Sequence, residues 1–480
     1  MMRTINSRLL DVDGRRHEGW GARLALAVLI PGMLLSSLVS PSAGAQSSPG
    51  TIEEQANRLY KKVHHIIVIY QENWSFDGLY PNFPGANGIS QGAATIPQID
   101  KSGNPITVLP QPIDTTVNPP VPDMRFPANL PVAPYDMSRY VPADQITGDM
   151  IHSFYHERLQ IDGGKMDGFV TWSNNGGLVF SYIDSTNLPV GELAQQFVMC
   201  DNLFHSAFGG SFLNHQFLIA AQPPTWPNAP ASAISNPDPA NLNENRVSPN
   251  GFVINTAFTI NTPHPASVTD PAQLVPQQIN PTIGDLLSAA NVTWKWYSGG
   301  WNDALAGHPD PLFQFHHQPF AYYRNLADGT QAKANHLQDE QDFLQDVNGR
   351  TLPAVCFIKP LGPDNEHPGY TNELRGQRHV AELVDAIRNS PYWKDSVIII
   401  TYDENGGRWD HVPPPVIDEW GPGTRVPGII ISKMAKRGFV DHTQYETVSI
   451  LRFIEEKFGL QSLTNRDANA KSFLNAFKGF

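Results

Sequence analysis

The chain has 480 residues, enough for one large α/β domain or two to three smaller ones. With 40% hydrophobic and 10% aromatic residues it can bury a sizeable core. Its formal net charge of −13 argues against nucleic acid or an anionic membrane surface as the general partner. No sequence feature indicates an obligate protein partner.

The first 45 residues are predicted to be an export signal. Arginines precede an apolar stretch from Leu24 to Val39, and an A-x-A cleavage pattern ends at Ala45. A membrane anchor is the competing interpretation, but Pro31 and Gly32 interrupt a stretch that is already short for spanning a bilayer. We therefore expect residues 1–45 to be the cleaved signal peptide of a bacterial periplasmic or secreted protein. Whether export follows the general or the twin-arginine route stays open.

Two runs of β-branched residues, one starting at residue 63 and one at residue 397, end in the same way. The first is followed by Glu72 and Asn73, the second by Asp403 and Glu404. Such runs indicate strands buried in a parallel sheet, whose carboxyl ends share one ligand crevice. Acidic residues in a wet turn would explain either end alone, but four oxygen donors together predict one divalent cation site. Oxygen ligands favour Ca²⁺ or Mg²⁺ over Zn²⁺.

Two segments are unusually rich in proline. Residues 97–142 contain eleven prolines in 46 positions, and residues 223–281 contain twelve in 59. This density excludes regular helices and central strands from both segments. We expect irregular excursions that cover the site rather than separate domains.

The remaining sequence alternates between strand and helix patterns. Apolar residues at helical spacing predict an amphipathic helix at 376–389, and short apolar runs predict strands at 355–358 and 426–432. This alternation indicates an α/β fold, with a mostly parallel central sheet and helices on both faces. We assign one domain to residues 51–480.

Ser211 is the candidate nucleophile. It follows Gly209 and Gly210 and precedes an apolar run, which predicts a hydroxyl at a helix N-terminus where backbone amides favour an anion. A simple helix cap is the alternative interpretation. The G-x-S-x-G pattern is absent, so an α/β-hydrolase elbow is not indicated.

Four histidines accompany this serine in motifs rich in polar residues: His152, His316, His317 and His367. Most histidines in proteins are ordinary surface or core residues. His316 and His317 are adjacent, so we expect their side chains to point apart and at most one of them to reach the site.

The two cysteines that follow the leader, Cys200 and Cys356, both lie in apolar surroundings. Export permits a disulfide between them, and two buried free thiols are the alternative. Their number excludes a metal site of the cysteine type.

These motifs together resemble the bacterial phosphoesterase family, which contains non-specific phospholipases C and exported acid phosphatases. The resemblance covers nearly the whole mature chain in the expected order. The matching passages are Gln71–Asp77, Asp149–Phe169, Phe204–His215, His316–Phe320, Glu366–Pro368, Ser390–Trp393, Tyr402–Gly407 and Asp410–Pro415.

The resemblance implies an alkaline-phosphatase-like three-layer sandwich with its site at the carboxyl ends of the strands. It also implies a set of cation ligands, with the serine as both ligand and nucleophile: Glu72, Asn73, Ser211, Asp403 and Glu404. The four histidines would then surround the transferring phosphoryl group, with His367 or His316 protonating the leaving oxygen. Phospholipase members carry threonine in a Gly-Pro-Thr-x-Pro-Asn context, where this chain has Gly-Gly-Ser211-Phe-Leu-Asn214.

The predicted function is an exported, metal-dependent acid phosphatase that forms a phosphoserine intermediate on a small phosphate ester. A phospholipase C that acts on phosphatidylcholine-type lipids is the alternative, with the lipid headgroup as its partner. A binding protein that holds a phosphate or a sugar without turnover is the rival of another class. No Cys/Ser-x-Pro-x-Arg sulfatase motif is present.

Overall fold

The computed structural model describes residues 51–89 and 96–480. The strands are β1 (His65–Gln71), β2 (Ile113–Asp114), β3 (Val121–Pro122), β4 (Tyr135–Asp136), β5 (Ser181–Tyr182), β6 (Val198–Phe204), β7 (Trp294–Ser298), β8 (Leu337–Asp339), β9 (Val355–Lys359), β10 (Ser396–Tyr402), β11 (Arg425–Ser432), β12 (Phe439–Asp441) and β13 (Tyr445–Glu446). The helices are α1 (Ile52–Tyr60), α2 (Phe76–Leu79), α3 (Phe154–Ile161), α4 (Pro189–Gln196), α5 (Ser211–Ala220), α6 (Ile283–Ala289), α7 (Trp301–Leu305), α8 (Gln331–His336), α9 (Glu340–Gly349), α10 (Glu373–Arg388), α11 (Ser449–Phe458) and α12 (Asn465–Asn469). The signal peptide at 1–45 lies outside the described residues and stays a prediction. None of the described helices is long and apolar enough to cross a bilayer.

A nine-stranded sheet forms the centre of the fold. Its strand order is β12-β6-β11-β10-β1-β9-β7-β8, and β13 also pairs with β6. β1 lies between β10 and β9 and is parallel to both, whereas β11 is antiparallel to its two neighbours. The predicted α/β fold with a mostly parallel sheet is therefore confirmed.

The valine and isoleucine runs of β1 and β10 occupy the most enclosed part of this sheet. Every residue of β10 is buried, and in β1 only His65 is partly exposed. β-Branched side chains suit such strands because they pack well on a pleated surface. The two strand ends are consequently held by a rigid core.

Helix α10 shows how local chemistry sets an element boundary. The predicted apolar stripe is buried, but the helix starts at Glu373, three residues before the predicted start. Asn372 caps it by accepting a hydrogen bond from Arg375 N. The helix ends at Arg388, one residue before the predicted end.

The two proline-rich segments contain only two-residue strands, isolated bridges and single turns of 3₁₀ helix among their described residues. Both reach the cavity described below, through Thr115 from the first segment and through Glu244, Asn245 and Arg246 from the second. Cys200 and Cys356 are free and buried, on β6 and β9. The structure therefore has two buried free thiols, and Cys200 and Cys356 do not form a disulfide.

Candidate active site

The carboxyl ends of β1 and β10 bring together the acidic residues that follow them. The two strands are parallel neighbours, and Gln71 pairs with Tyr402 at the last register position. Glu72 and Asp403 come next, and both side chains are fully buried. Asp403 N also donates a hydrogen bond to Gln71 O at 3.0 Å. Two segments that are distant in the sequence therefore share one edge of the sheet.

Lys359, the last residue of β9, lies between these two carboxylates. Its Nζ is 2.8 Å from Glu72 Oε1 and 3.4 Å from Asp403 Oδ2, and the side chain is fully buried. Burial alone would raise the pKa of Glu72, but His317 and Lys359 hold that pKa well below its ordinary value. Sequence reasoning missed Lys359, although it follows the predicted strand 355–358 just as the carboxylates follow theirs.

Two carboxylate oxygens of the site, Glu72 Oε2 and Glu404 Oε1, have no hydrogen-bond donor among the described residues. The Nε2 atoms of His367 and His152 lie 3.9 and 3.7 Å from them, respectively. Buried anionic oxygens without donors are costly, and a cation removes that cost. Burial raises the pKa of Glu404 well above its ordinary value and that of Asp403 to about 6, and a bound cation would lower both. The donor set fits a hard divalent cation.

Tighter groupings of potential ligands also occur in the described part of the chain. Two sets of three side chains have ligand atoms within 4.8 Å of one another: Asp149, His152 and His367, and Asp77, Asp410 and His411. In the first set, the His152 Nδ1–H donates a hydrogen bond to the Met150 carbonyl at 2.6 Å. That nitrogen therefore carries a proton and is not free to bind a metal. In the second, the buried Arg425 already supplies a positive charge, with Nε 2.8 Å from Asp410 Oδ1. The case for a cation at Glu72 therefore rests on unsatisfied oxygens rather than on tight spacing.

Ser211 is the first residue of α5 and lies 5% exposed beside the end of β1. Its Oγ donates a hydrogen bond to Asn73 Oδ1 at 3.4 Å. The preceding turn needs glycine, because Gly209 has a φ of +83° and a Cβ there would lie 2.5 Å from Phe154 N. The turn thus presents the hydroxyl next to Asn73, one of the proposed cation ligands, in a cavity that Glu72 also lines.

Glu157, on α3, stabilises this turn through hydrogen bonds to its carboxylate. Its carboxylate accepts hydrogen bonds from Gly209 N at 2.6 Å, His205 Nε2 at 2.9 Å and both the N–H and the hydroxyl of Thr424. The residue is buried, and although burial raises its pKa, His205 and these donors lower it below the ordinary value. Glu157 is another site residue that sequence reasoning missed, although it lies within the passage Asp149–Phe169 that carries the family resemblance.

We expect Glu157→Gln to lower the free energy of unfolding by about 2 kcal/mol at neutral pH, because an amide cannot accept all four bonds. The folded-state pKa of Glu157 is depressed, so its contribution is present above the unfolded-state value of about 4.3 and is lost as pH falls through the folded-state value. Urea unfolding between about pH 7 and pH 3 should show the two proteins converging at the acidic end. The exposed Glu382→Gln on α10 is the control. A difference that does not change with pH would contradict the assignment.

The four predicted histidines line one cavity of about 690 Å³, together with Glu72 and Ser211. His316 and His317 lie on a single 3₁₀ turn, and their rings are 4.6 Å apart at 74°. The expectation that at most one of them reaches the site is wrong. Successive side chains on a 3₁₀ turn are about 120° apart rather than opposite, so both can face the same cavity.

The environments of these histidines differ in which protonation state they favour. Burial lowers the pKa of His316 well below its ordinary value and that of His317 to about 4. Burial opposes charge on His152 as well, but the Glu404 carboxylate raises the pKa of His152 to about 9. His367 donates from Nδ1 to the Pro368 carbonyl at 2.5 Å, which leaves Nε2 directed at Glu72. The structure thus disfavours His316 as a proton donor.

Glu366 contacts the last residues of both β1 and β10. Its carboxylate accepts hydrogen bonds from Gln71 Nε2 at 2.9 Å and from the Tyr402 hydroxyl at 2.8 Å. Gln71 and Tyr402 are the register partners that immediately precede Glu72 and Asp403. Glu366 also directly precedes His367 in the chain. One buried carboxylate is thus linked to the segments that carry Glu72, Asp403 and His367.

The chain is similar to several known proteins. Residues 63–461 match the model of the phosphoesterase family. Phospholipase C B of Mycobacterium tuberculosis is 24% identical and covers 97% of this chain and 86% of its own length. The non-hemolytic phospholipase C of Pseudomonas aeruginosa is 24% identical over 83% of this chain and 54% of its own length. A solved alkaline phosphatase superfamily protein from Vibrio parahaemolyticus, 10% identical, has a TM-score of 0.32 and covers 60% of this chain and 63% of its own.

Proposed function

This chain belongs to the phosphoesterase family, and from that premise we propose that it is an exported, cation-dependent acid phosphatase with Ser211 as its nucleophile. One observation supports this proposal above the others. A buried carboxylate oxygen without a donor, on Glu72, lies in one polar cavity with a serine presented on a glycine turn, and a second such oxygen, on Glu404, lies 3.7 Å from the cavity-lining His152. An anionic site of this kind needs a cation, and a phosphate ester needs both the cation and the hydroxyl.

The residues that would hold the cation are Glu72, Asn73, Asp403 and Glu404, with the Ser211 hydroxyl beside them. All five offer oxygen, which favours Ca²⁺ or Mg²⁺ over Zn²⁺. When bound, the cation would lower the pKa of the serine hydroxyl and offset the charge of the phosphate. The aligned amides at the start of α5 favour negative charge at the same place.

In the proposed phosphoryl transfer, each side chain has a role that its position supports. The Ser211 hydroxyl releases its proton to solvent, its Oγ attacks phosphorus in line, and the bond from phosphorus to the leaving oxygen breaks. We assign protonation of that oxygen to His367, whose Nδ1 is engaged by a carbonyl and whose Nε2 faces the cavity. His152, His316 and His317 line the remaining wall and would contact the phosphoryl oxygens. Water hydrolyses the phosphoserine and restores the serine.

A phospholipase C is the second candidate, because the relatives compared above carry that name. One feature of the surface also favours it. The proline-rich strand pair β2–β3 exposes Val117 and Val121 by more than two-fifths and is followed by Met124, which is 86% exposed. Thr115 at its base lines the cavity. A lipid surface could contact these apolar side chains.

One assay separates the candidates. The purified protein is expected to release phosphate from p-nitrophenyl phosphate, to lose this activity in a chelator and to recover it with Mg²⁺ or Ca²⁺. Headgroup release from phosphatidylcholine, measured in parallel, is expected to be slower. Faster turnover of the lipid would favour the phospholipase C. Tight phosphate binding with no turnover of either substrate would indicate a binding protein.

A further inference from the structure

Lys359 is a fully buried ammonium within the anionic cluster and takes no part in the proposed phosphoryl transfer. Its ammonium lies within ion-pair distance of Glu72 and Asp403, which follow different strands. It also lies 5.3 Å from the centre of the Tyr70 ring. An ammonium buried this deeply is stable only when carboxylates compensate it.

The carboxylates do not depend on this lysine for their positions. Glu72 Oε1 also contacts His317 Nε2, and its backbone N–H donates to the Asn365 carbonyl at 2.9 Å. Asp403 Oδ1 accepts a hydrogen bond from Glu404 N at 2.9 Å. Loss of the ammonium would therefore leave the ligands in place but make the cluster one charge more negative.

The charges of the cluster indicate what the lysine does. Glu72, Asp403 and Glu404 are all fully buried and together carry three negative charges when ionised. Lys359 and one divalent cation together carry three positive charges. The Lys359 side chain is fully enclosed between Glu72 and Asp403, whereas His152 is 20% exposed. The lysine is thus the part of the compensation that is built into the core.

We propose that Lys359 acts as a fixed second cation, which weakens the attraction of the carboxylates for the divalent ion and allows the loaded site to accept a phosphate dianion. This inference rests on the proposed function. Lys359 is a positioning residue in this role, because it acts through the charge of Glu72 and Asp403 rather than by touching the substrate. A divalent cation and a phosphate should respond to its removal in opposite directions.

The test replaces the lysine in the full mature protein and measures binding by calorimetry. Lys359→Met should bind Mg²⁺ or Ca²⁺ roughly tenfold more tightly, and the cation-loaded variant should bind inorganic phosphate roughly tenfold more weakly. Lys359→Gln, which keeps a hydrogen-bond donor but no charge, should behave in the same way and serves if the methionine variant does not fold. Lys359→Arg should stay close to the wild type.

Lys295→Met is the matched control, since Lys295 on the neighbouring strand β7 pairs with Asp346 at 2.6 Å, away from the site. It should change neither binding constant. Weaker cation binding by Lys359→Gln, or unchanged phosphate binding, would overturn the role of Lys359 even if the wild type hydrolyses p-nitrophenyl phosphate. A wild-type protein that binds no divalent cation would overturn this role and the proposed function together.

Discussion

Replacing Ser211 with alanine is expected to lower turnover of p-nitrophenyl phosphate on the order of 10³-fold or more, with the fold intact. The variant loses the hydroxyl that the glycine turn presents to the proposed ligands, and with it the hydrogen bond to Asn73, which is 3.4 Å long. Loss of so long a bond costs little stability. The free energy of unfolding should therefore change far less than the activation free energy. Initial rates and urea unfolding of the same preparation measure both quantities.

The chain offers a close control for this variant. Ser449 is also the first residue of a ten-residue helix, α11, and is also buried. Its Oγ accepts a hydrogen bond from Glu446 N at 3.1 Å, so Ser449→Ala should lose about 1 kcal/mol of stability and keep normal turnover. If Ser211→Ala retains more than about a tenth of the wild-type rate while folded, the serine is not the nucleophile.

Glu72→Gln and Asp403→Asn are each expected to lower cation affinity and activity together. Both carboxylates are fully buried at neighbouring strand ends, so each loses an anionic ligand that no nearby residue can replace. We expect cation affinity to fall by roughly 100-fold, which is about 2.7 kcal/mol. Metal content after dialysis and turnover at saturating Mg²⁺ or Ca²⁺ measure the two effects.

Asp441→Asn is the control for these carboxylate variants. Asp441 is equally buried at the end of a strand, β12, but its Oδ2 accepts a hydrogen bond from the Tyr445 hydroxyl at 2.9 Å. This variant should lose stability and retain both cation and activity per folded molecule. Full cation occupancy in Glu72→Gln and in Asp403→Asn would show that the two strand ends do not share an ion.

The sequence alone indicates the class of fold and where its chemistry lies. Buried parallel strands consist of β-branched residues over their whole length, so the runs before Glu72 and Asp403 were recognisable without any tertiary information. Parallel strands direct their carboxyl ends to one edge, which predicts the grouping of the acidic residues. The glycine turn before Ser211 is equally local, because it depends on the backbone freedom of one residue, Gly209.

Only the tertiary structure shows which other side chains contact the site around Glu72, Asp403 and Ser211. Lys359, Glu366 and Glu157 lie far along the chain from the residues they contact, and a buried charge becomes visible only when its partners are known. His316 and His317 both face the cavity because their segment forms a 3₁₀ turn, which their sequence does not specify. The pKa of each histidine likewise depends on burial and on the nearest charge, and both are properties of the packed molecule. Strand patterns and the glycine turn before Ser211 are encoded by neighbouring residues, whereas electrostatic compensation depends on residues that meet only after folding.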